Sequence, residues 1–171
     1  MVTRKLLCRT LSGTPCEYLT VTSREKTPGK RKAVVISARV HPGETVGSWM
    51  MRGVLFFITD PNNKEARLLR ENFVFKIVPM LNPDGVINGN YRCSLAGCDL
   101  NRRWKTPSSV LHPTIYNIKK LIKAFHKERQ LVLYCDLHGH SRKQNVFMYG
   151  CNNPKAPEET RLFPYLLGKL N

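Results

Sequence analysis

Ala33-Val34-Val35-Ile36-Ser37-Ala38 runs straight into Arg39-Val40-His41-Pro42-Gly43-Glu44. The first six residues are small or β-branched and bounded by polar sequence, the pattern of a short strand buried on both sides. The next six place a histidine and a glutamate three positions apart around Pro-Gly, which is turn chemistry. A second apolar run, Leu131–Leu137, ends on His138 in the same way. Strands that alternate with helical patterns predict an α/β protein, a layered sheet with helices on its faces. Ligands of such sheets sit at the carboxyl ends of strands, which is where His41, Glu44 and His138 fall.

Working outward, Glu17–Val21 alternates as a strand and Lys26–Lys32 reads as a Pro/Gly/Lys turn. After the loop, Val46, Trp49, Met50, Gly53, Val54 and Phe57 fall on one helical face. Asp60-Pro61-Asn62-Asn63 is a turn and Lys64–Arg70 a short helix. Phe73–Val78 predicts a further strand, and Pro79–Asn90, rich in Pro, Gly and Asn, an ordered loop. No periodicity emerges from there to Pro107. His112–Arg129 predicts a helix with Ile115, Ile118, Leu121, Ile122 and Phe125 inward; His112 and His126 are ordinary residues of it. Val146–Gly150 is a weaker strand, and Glu158–Leu170 a last helix. Residues 1–30 read as the end of a preceding region with its leading strand, and 31–171 as one catalytic domain.

Composition narrows the function classes. With 42% hydrophobic and 23% charged residues, the chain has the balance of a soluble globular protein. No apolar run approaches the ~20 residues that span a bilayer, and the N-terminal sequence does not read as a leader. The six cysteines (Cys8, Cys16, Cys93, Cys98, Cys135, Cys151) are expected as reduced thiols, since no Asn-x-Ser/Thr site accompanies them. The expectation is a cytoplasmic protein without a membrane partner. A net charge of +16 calls for acidic partners. Its lysines and arginines are spread in short clusters without an aromatic-interleaved stripe, which argues for an acidic peptide rather than nucleic acid.

Two histidines and one glutamate leave a zinc ion one open position, the pattern of a catalytic rather than a structural site. A lone His-x-x-Glu carries little weight; an ordered set of motifs carries more. Ala38–Glu44, Pro79-Met-Leu-Asn-Pro-Asp-Gly85, Gly89-Asn-Tyr-Arg-Cys-Ser-Leu95, Asp99-Leu-Asn-Arg102 and Cys135-Asp-Leu-His-Gly-His-Ser-Arg-Lys143 occur in that order. Over residues 33–153 the chain resembles the cytosolic carboxypeptidase branch of the zinc carboxypeptidase (M14) family.

The resemblance implies a mixed sheet with helices on both faces and one zinc ion per chain. His41, Glu44 and His138 match the metal ligands. Arg92 matches the arginine that polarises the scissile carbonyl and steadies the oxyanion. Asn101 and Arg102 match the pair that grips the substrate's terminal carboxylate. Asp99 matches a carboxylate that orients a zinc-bound histidine. Asp136, two residues before His138 and so on the same strand face, is placed to orient a ligand as well. His140 carries no ligand role, and Arg142 and Lys143 read as a solvated face.

By the same resemblance, the substrate is an acidic protein tail such as that of polyglutamylated tubulin, and the reaction is removal of glutamates. The family's general-base glutamate, carried on a later strand, has no counterpart within 1–171. The chain is therefore expected to be truncated, missing its C-terminal strands, and poorly stable and nearly inactive by itself. Two other functions fit parts of the pattern: a zinc deacylase of related fold, and an impaired zinc protein that binds acidic partners.

Overall fold

In chain order the computed structural model contains β1 (Val2–Arg9), β2 (Pro15–Val21), β3 (Lys32–Ala38), α1 (Val46–Thr59), α2 (Lys64–Asn72), β4 (Phe73–Val78), α3 (Pro83–Ile87), a 3-10 turn (Leu100–Arg102), α4 (Pro113–Glu128), β5 (Leu131–Leu137) and α5 (Pro157–Lys169). It describes residues 1–24 and 30–170. Of the turn expected at Lys26–Lys32, positions 26–29 lie outside the described residues.

The strands form one mixed sheet in the order β1-β2-β4-β3-β5. β1 with β2 and β2 with β4 are antiparallel, while β3 lies parallel to both β4 and β5. Helices cover both faces. Val34, Phe75 and Ile77 pack with Met51 and Ile58 of α1, while Ala33, Val35 and Val74 pack with Phe125 of α4. Successive residues of β3 thus serve opposite layers, which is why that run is apolar almost throughout. A third cluster joins Cys16, Val78, Leu81 and Leu100 to Ile115 and Ile118 of α4. Each Val, Leu, Ile, Phe or Met among them contributes about 1.5–3 kcal/mol when fully buried. All six cysteines are free thiols.

Three readings of the sequence need correction. The inward face of α1 is Gly47, Met51 and Ile58, whereas Trp49 is 65% exposed and Val46, Met50 and Phe57 also face outward. The helix carries apolar residues around most of its girth, so periodicity alone selected the wrong stripe. Val146–Gly150 is not a strand, because an extended run becomes one only by pairing and it has no strand partner among the described residues. The Pro79–Asn90 loop contains α3, started by Asn82, whose side chain accepts the Gly85 N–H at 3.0 Å.

β1 was not foreseen. It pairs along its length with β2, and the first compact unit is Met1–Gly139. Asp84 anchors the hairpin that joins the two strands: Thr10 and Ser12 hydroxyls each donate to its Oδ1 at 2.5 Å. A second unit, His140–Asn171, is irregular up to α5, none of whose residues is buried. Within it, Phe147 stands edge-on to both His140 and Tyr149. Among the described residues no helix is long and apolar enough to cross a membrane.

Candidate metal centre

β3 and β5 are neighbours in register, Ala38 beside Leu137. Whatever follows their carboxyl ends is therefore brought side by side. Beyond Ala38 the chain turns sharply at Arg39, whose φ of 55° lies in the left-handed region. That conformation costs a non-glycine residue about 1–2 kcal/mol. The buried guanidinium holds the turn from within, donating to Pro42 O at 2.5 Å and Ser48 Oγ at 2.7 Å. Burial lowers its pKa, and its Nε has no partner among the described residues. Backbone bonds from Leu81 N to Ala38 O (2.9 Å) and from Asn82 N to Arg39 O (3.1 Å) fasten this loop to the one after β4.

Gly43 is required by a close approach. Its N–H donates to Tyr91 O at 2.7 Å, and a Cβ there would lie 2.6 Å from Tyr91 Cδ2. Gly47 similarly lets the start of α1 rest on β5, since a Cβ would meet Leu137 O at 2.9 Å.

The result is a convergence of His41, Glu44 and His138, with one donor atom from each lying within 4.8 Å of the others. Glu44 lies between the rings: Oε1 is 2.8 Å from His41 Nδ1, and Oε2 is 2.9 Å from His138 Nδ1. Gly139 N–H also donates to Oε2 at 2.9 Å. The far nitrogens meet carboxylates too. His41 Nε2 is 3.0 Å from Asp99 Oδ1, and His138 Nε2 is 2.8 Å from Asp136 Oδ2. A neutral imidazole has one proton and cannot donate at both nitrogens. Two rings that face carboxylates on both sides need either a second proton each or a cation between the Nδ1 atoms and Glu44. The donor set therefore fits a metal ion, held by two imidazoles and one carboxylate with room for a further ligand. Hydrogen bonding to Asp136 raises the His138 pKa, against the opposing effect of burial and with Asp136 and Glu44 charges adding to the rise.

The remaining predicted residues gather around Asp99. Its Oδ2 takes both Nε and Nη2 of Arg92, at 2.9 and 2.8 Å. Its Oδ1 accepts the Asn101 N–H at 2.8 Å and so caps the 3-10 turn that carries Asn101 and Arg102. Burial pushes the Asp99 carboxyl up, but hydrogen bonds from His41 and Asn101 and the charge of Arg92 outweigh it and leave the pKa lowered. Arg102 is exposed, and its guanidinium has no partner among the described residues.

Trp104 was missed: its indole N–H donates to Asn101 Oδ1 at 2.9 Å. The only sequence signal is its place three residues after Asn101. Ser37 and Tyr134, on the strands beneath, also went unnoticed. His112 precedes α4 and accepts the Ser108 N–H at 3.0 Å. In its own unit His140 accepts the backbone N–H groups of Arg142 and Lys143.

Known proteins share this arrangement of sequence and fold. The family model described as zinc carboxypeptidase, peptidase M14, matches residues 1–169. Cytosolic carboxypeptidase 2 of Homo sapiens is 54% identical over 168 residues, covering 95% of this chain and 18% of the relative. Cytosolic carboxypeptidase 2 of Xenopus tropicalis is 53% identical over 171 residues, 96% of this chain and again 18% of the relative. The chain thus spans less than a fifth of these relatives' length. A crystal structure of a metallo-carboxypeptidase from Burkholderia cenocepacia superposes with a TM-score of 0.90 at 28% identity, covering 99% of this chain and 46% of that one. The chain belongs to the zinc carboxypeptidase family.

Proposed function

We propose that this chain provides the zinc-binding and carboxylate-gripping part of a cytoplasmic metallocarboxypeptidase that removes glutamates from acidic protein tails, with polyglutamylated tubulin as the expected substrate. One observation carries the reading: His41 Nδ1, His138 Nδ1 and the Glu44 carboxylate converge at the ends of adjacent parallel strands. His41, Glu44 and His138 would hold the metal. Zinc, when bound, supplies Lewis-acid polarisation and a readily deprotonated water.

The chain's own residues orient the ligands and bind the substrate. Asp99 and Asp136 keep a proton on each Nε2, so that both Nδ1 lone pairs face inward. Arg92 is fixed by two bonds to Asp99, which leaves Nη1 without a partner among the described residues. From there it steadies negative charge developing on a scissile carbonyl. Arg102 offers an unpaired guanidinium to a terminal carboxylate, which such a planar fork binds through two bonds. Asn101 adds an amide whose oxygen is already taken by Trp104. The net charge of +16 favours approach of polyglutamate over neutral peptides.

The test compares a peptide ending in several glutamates with the same peptide amidated at its C-terminus. Released glutamate, followed by mass spectrometry over long incubations because turnover by residues 1–171 is expected to be slow, is expected from the free acid alone and is lost in His138→Ala. Equal cleavage of the amidated peptide, or internal cuts, would overturn the proposal.

A further inference from the structure

Beneath His138 lies a polar chain that the metal ligands themselves do not require. Ser37 is fully buried in β3, and its hydroxyl lies 2.6 Å from Asp136 Oδ1 and 2.9 Å from the Tyr134 hydroxyl. The parallel register sets Ser37 beside Asp136 and Val35 beside Tyr134. Residues 134, 136 and 138 alternate onto one face of the chain, and there Tyr134 and Asp136 meet Ser37 while His138 meets Asp136.

Proton counting fixes the direction of every bond. An ionised Asp136 accepts only, so the single Ser37 proton goes to Oδ1. Tyr134 must then donate to Ser37 Oγ. Burial first, and then the Asp136 charge, raise the Tyr134 pKa, so the phenol keeps that proton. With Oδ1 occupied, Oδ2 is left for His138, 2.8 Å from Nε2. Nε2 therefore carries the imidazole proton, and Nδ1 presents its lone pair toward Glu44. Asp99 performs the equivalent task for His41 from a loop; Asp136 performs it from within the sheet.

We infer that Asp136, anchored by Ser37 and Tyr134, is the positioning residue for His138, fixing its tautomer and ring so that the buried sheet sets the affinity of the metal site. The inference rests on the zinc reading of His41, Glu44 and His138.

The test is zinc affinity of the full chain, measured by competition with a chromogenic chelator, together with the visible absorption of the cobalt(II)-loaded protein and the melting of the metal-free protein. Asp136→Asn should weaken zinc binding about 10–100-fold, the usual cost of removing a ligand's orienting partner, and should alter the cobalt spectrum. Ser37→Ala and Tyr134→Phe should each weaken binding several-fold, and they carry the test if Asp136→Asn does not fold. A wild-type protein that binds no zinc would sink the metal reading itself. Wild-type zinc binding matched within twofold by all three variants would sink this inference alone. So would a fall in metal-free melting temperature with zinc affinity and cobalt spectrum unchanged, because that pattern marks a purely structural network.

Discussion

The indole N–H of Trp104 donates to Asn101 Oδ1 at 2.9 Å. With the amide oxygen committed, the Asn101 NH2 group is directed away from the indole, free to donate to a ligand. Trp104 is itself fixed: its ring stands edge-on to Tyr134 at 5.6 Å, and Lys119 grips the carbonyls of Trp104 and Lys105 at 2.5 and 2.6 Å. Trp104→Phe keeps the packing and deletes the donor. A lost hydrogen bond of about 1 kcal/mol corresponds to roughly a fivefold effect. The expected outcome in calorimetric titration with a glutamate-ending peptide is a Kd about fivefold higher, the effect of one lost binding contact.

Acid should loosen the first hairpin. Burial pushes the Asp84 carboxyl up, but bonds from Ser12 and Thr10 outweigh it and depress its pKa in the folded chain. A depressed carboxylate stabilises the fold fully above its unfolded value, about 3.9. That contribution fades as the pH falls through the lower folded value. Melting temperatures measured from pH 7 down to pH 3 should therefore fall more steeply in the wild type than in Asp84→Asn, which lacks the titrating group and starts lower. Parallel curves would contradict the assignment.

Gly43→Ala should disturb the loop that carries His41 and Glu44. The added methyl would sit 2.6 Å from Tyr91 Cδ2 and 2.7 Å from the Tyr91 carbonyl oxygen, and the backbone part of that clash cannot rotate away. Overpacking of this kind costs about 1–3 kcal/mol. Thermal melting should show the loss, and zinc affinity should fall with it. Gly13→Ala is a control without a steric clash, since no atom lies within 4 Å of a Cβ there, although its φ of 81° still imposes backbone strain.

What could be read from the sequence follows physical lines. The parallel strands β3, β4 and β5 were legible because each is a near-continuous apolar run; Phe73–Val78 and Leu131–Leu137 were placed to the residue, although β5 lies at the sheet edge and none of its residues is fully buried. β1 was not, because at the sheet edge Arg4 and Lys5 interrupt the pattern and its pairing comes from the hairpin rather than from its own composition. α1 was found but turned, since Trp49 and Phe56 are as apolar as Met51 and Ile58 yet stand outside. Within the candidate site, His41, Glu44 and His138 drew notice by following strand ends. Asp99, Arg92, Asn101 and Arg102 stood out only through the resemblance. Trp104, Ser37 and Tyr134 left no local signal, because their partners are set by sheet register and by the fold of a loop.

His41, Glu44 and His138 are expected to hold one zinc ion. Zinc content per chain, determined by inductively coupled plasma mass spectrometry on the dialysed protein and on His41→Ala, Glu44→Ala and His138→Ala, decides this. One zinc per wild-type chain is expected, and its loss in each variant that remains folded. A wild-type chain without zinc, or variants that keep it in full, would rule out this metal centre.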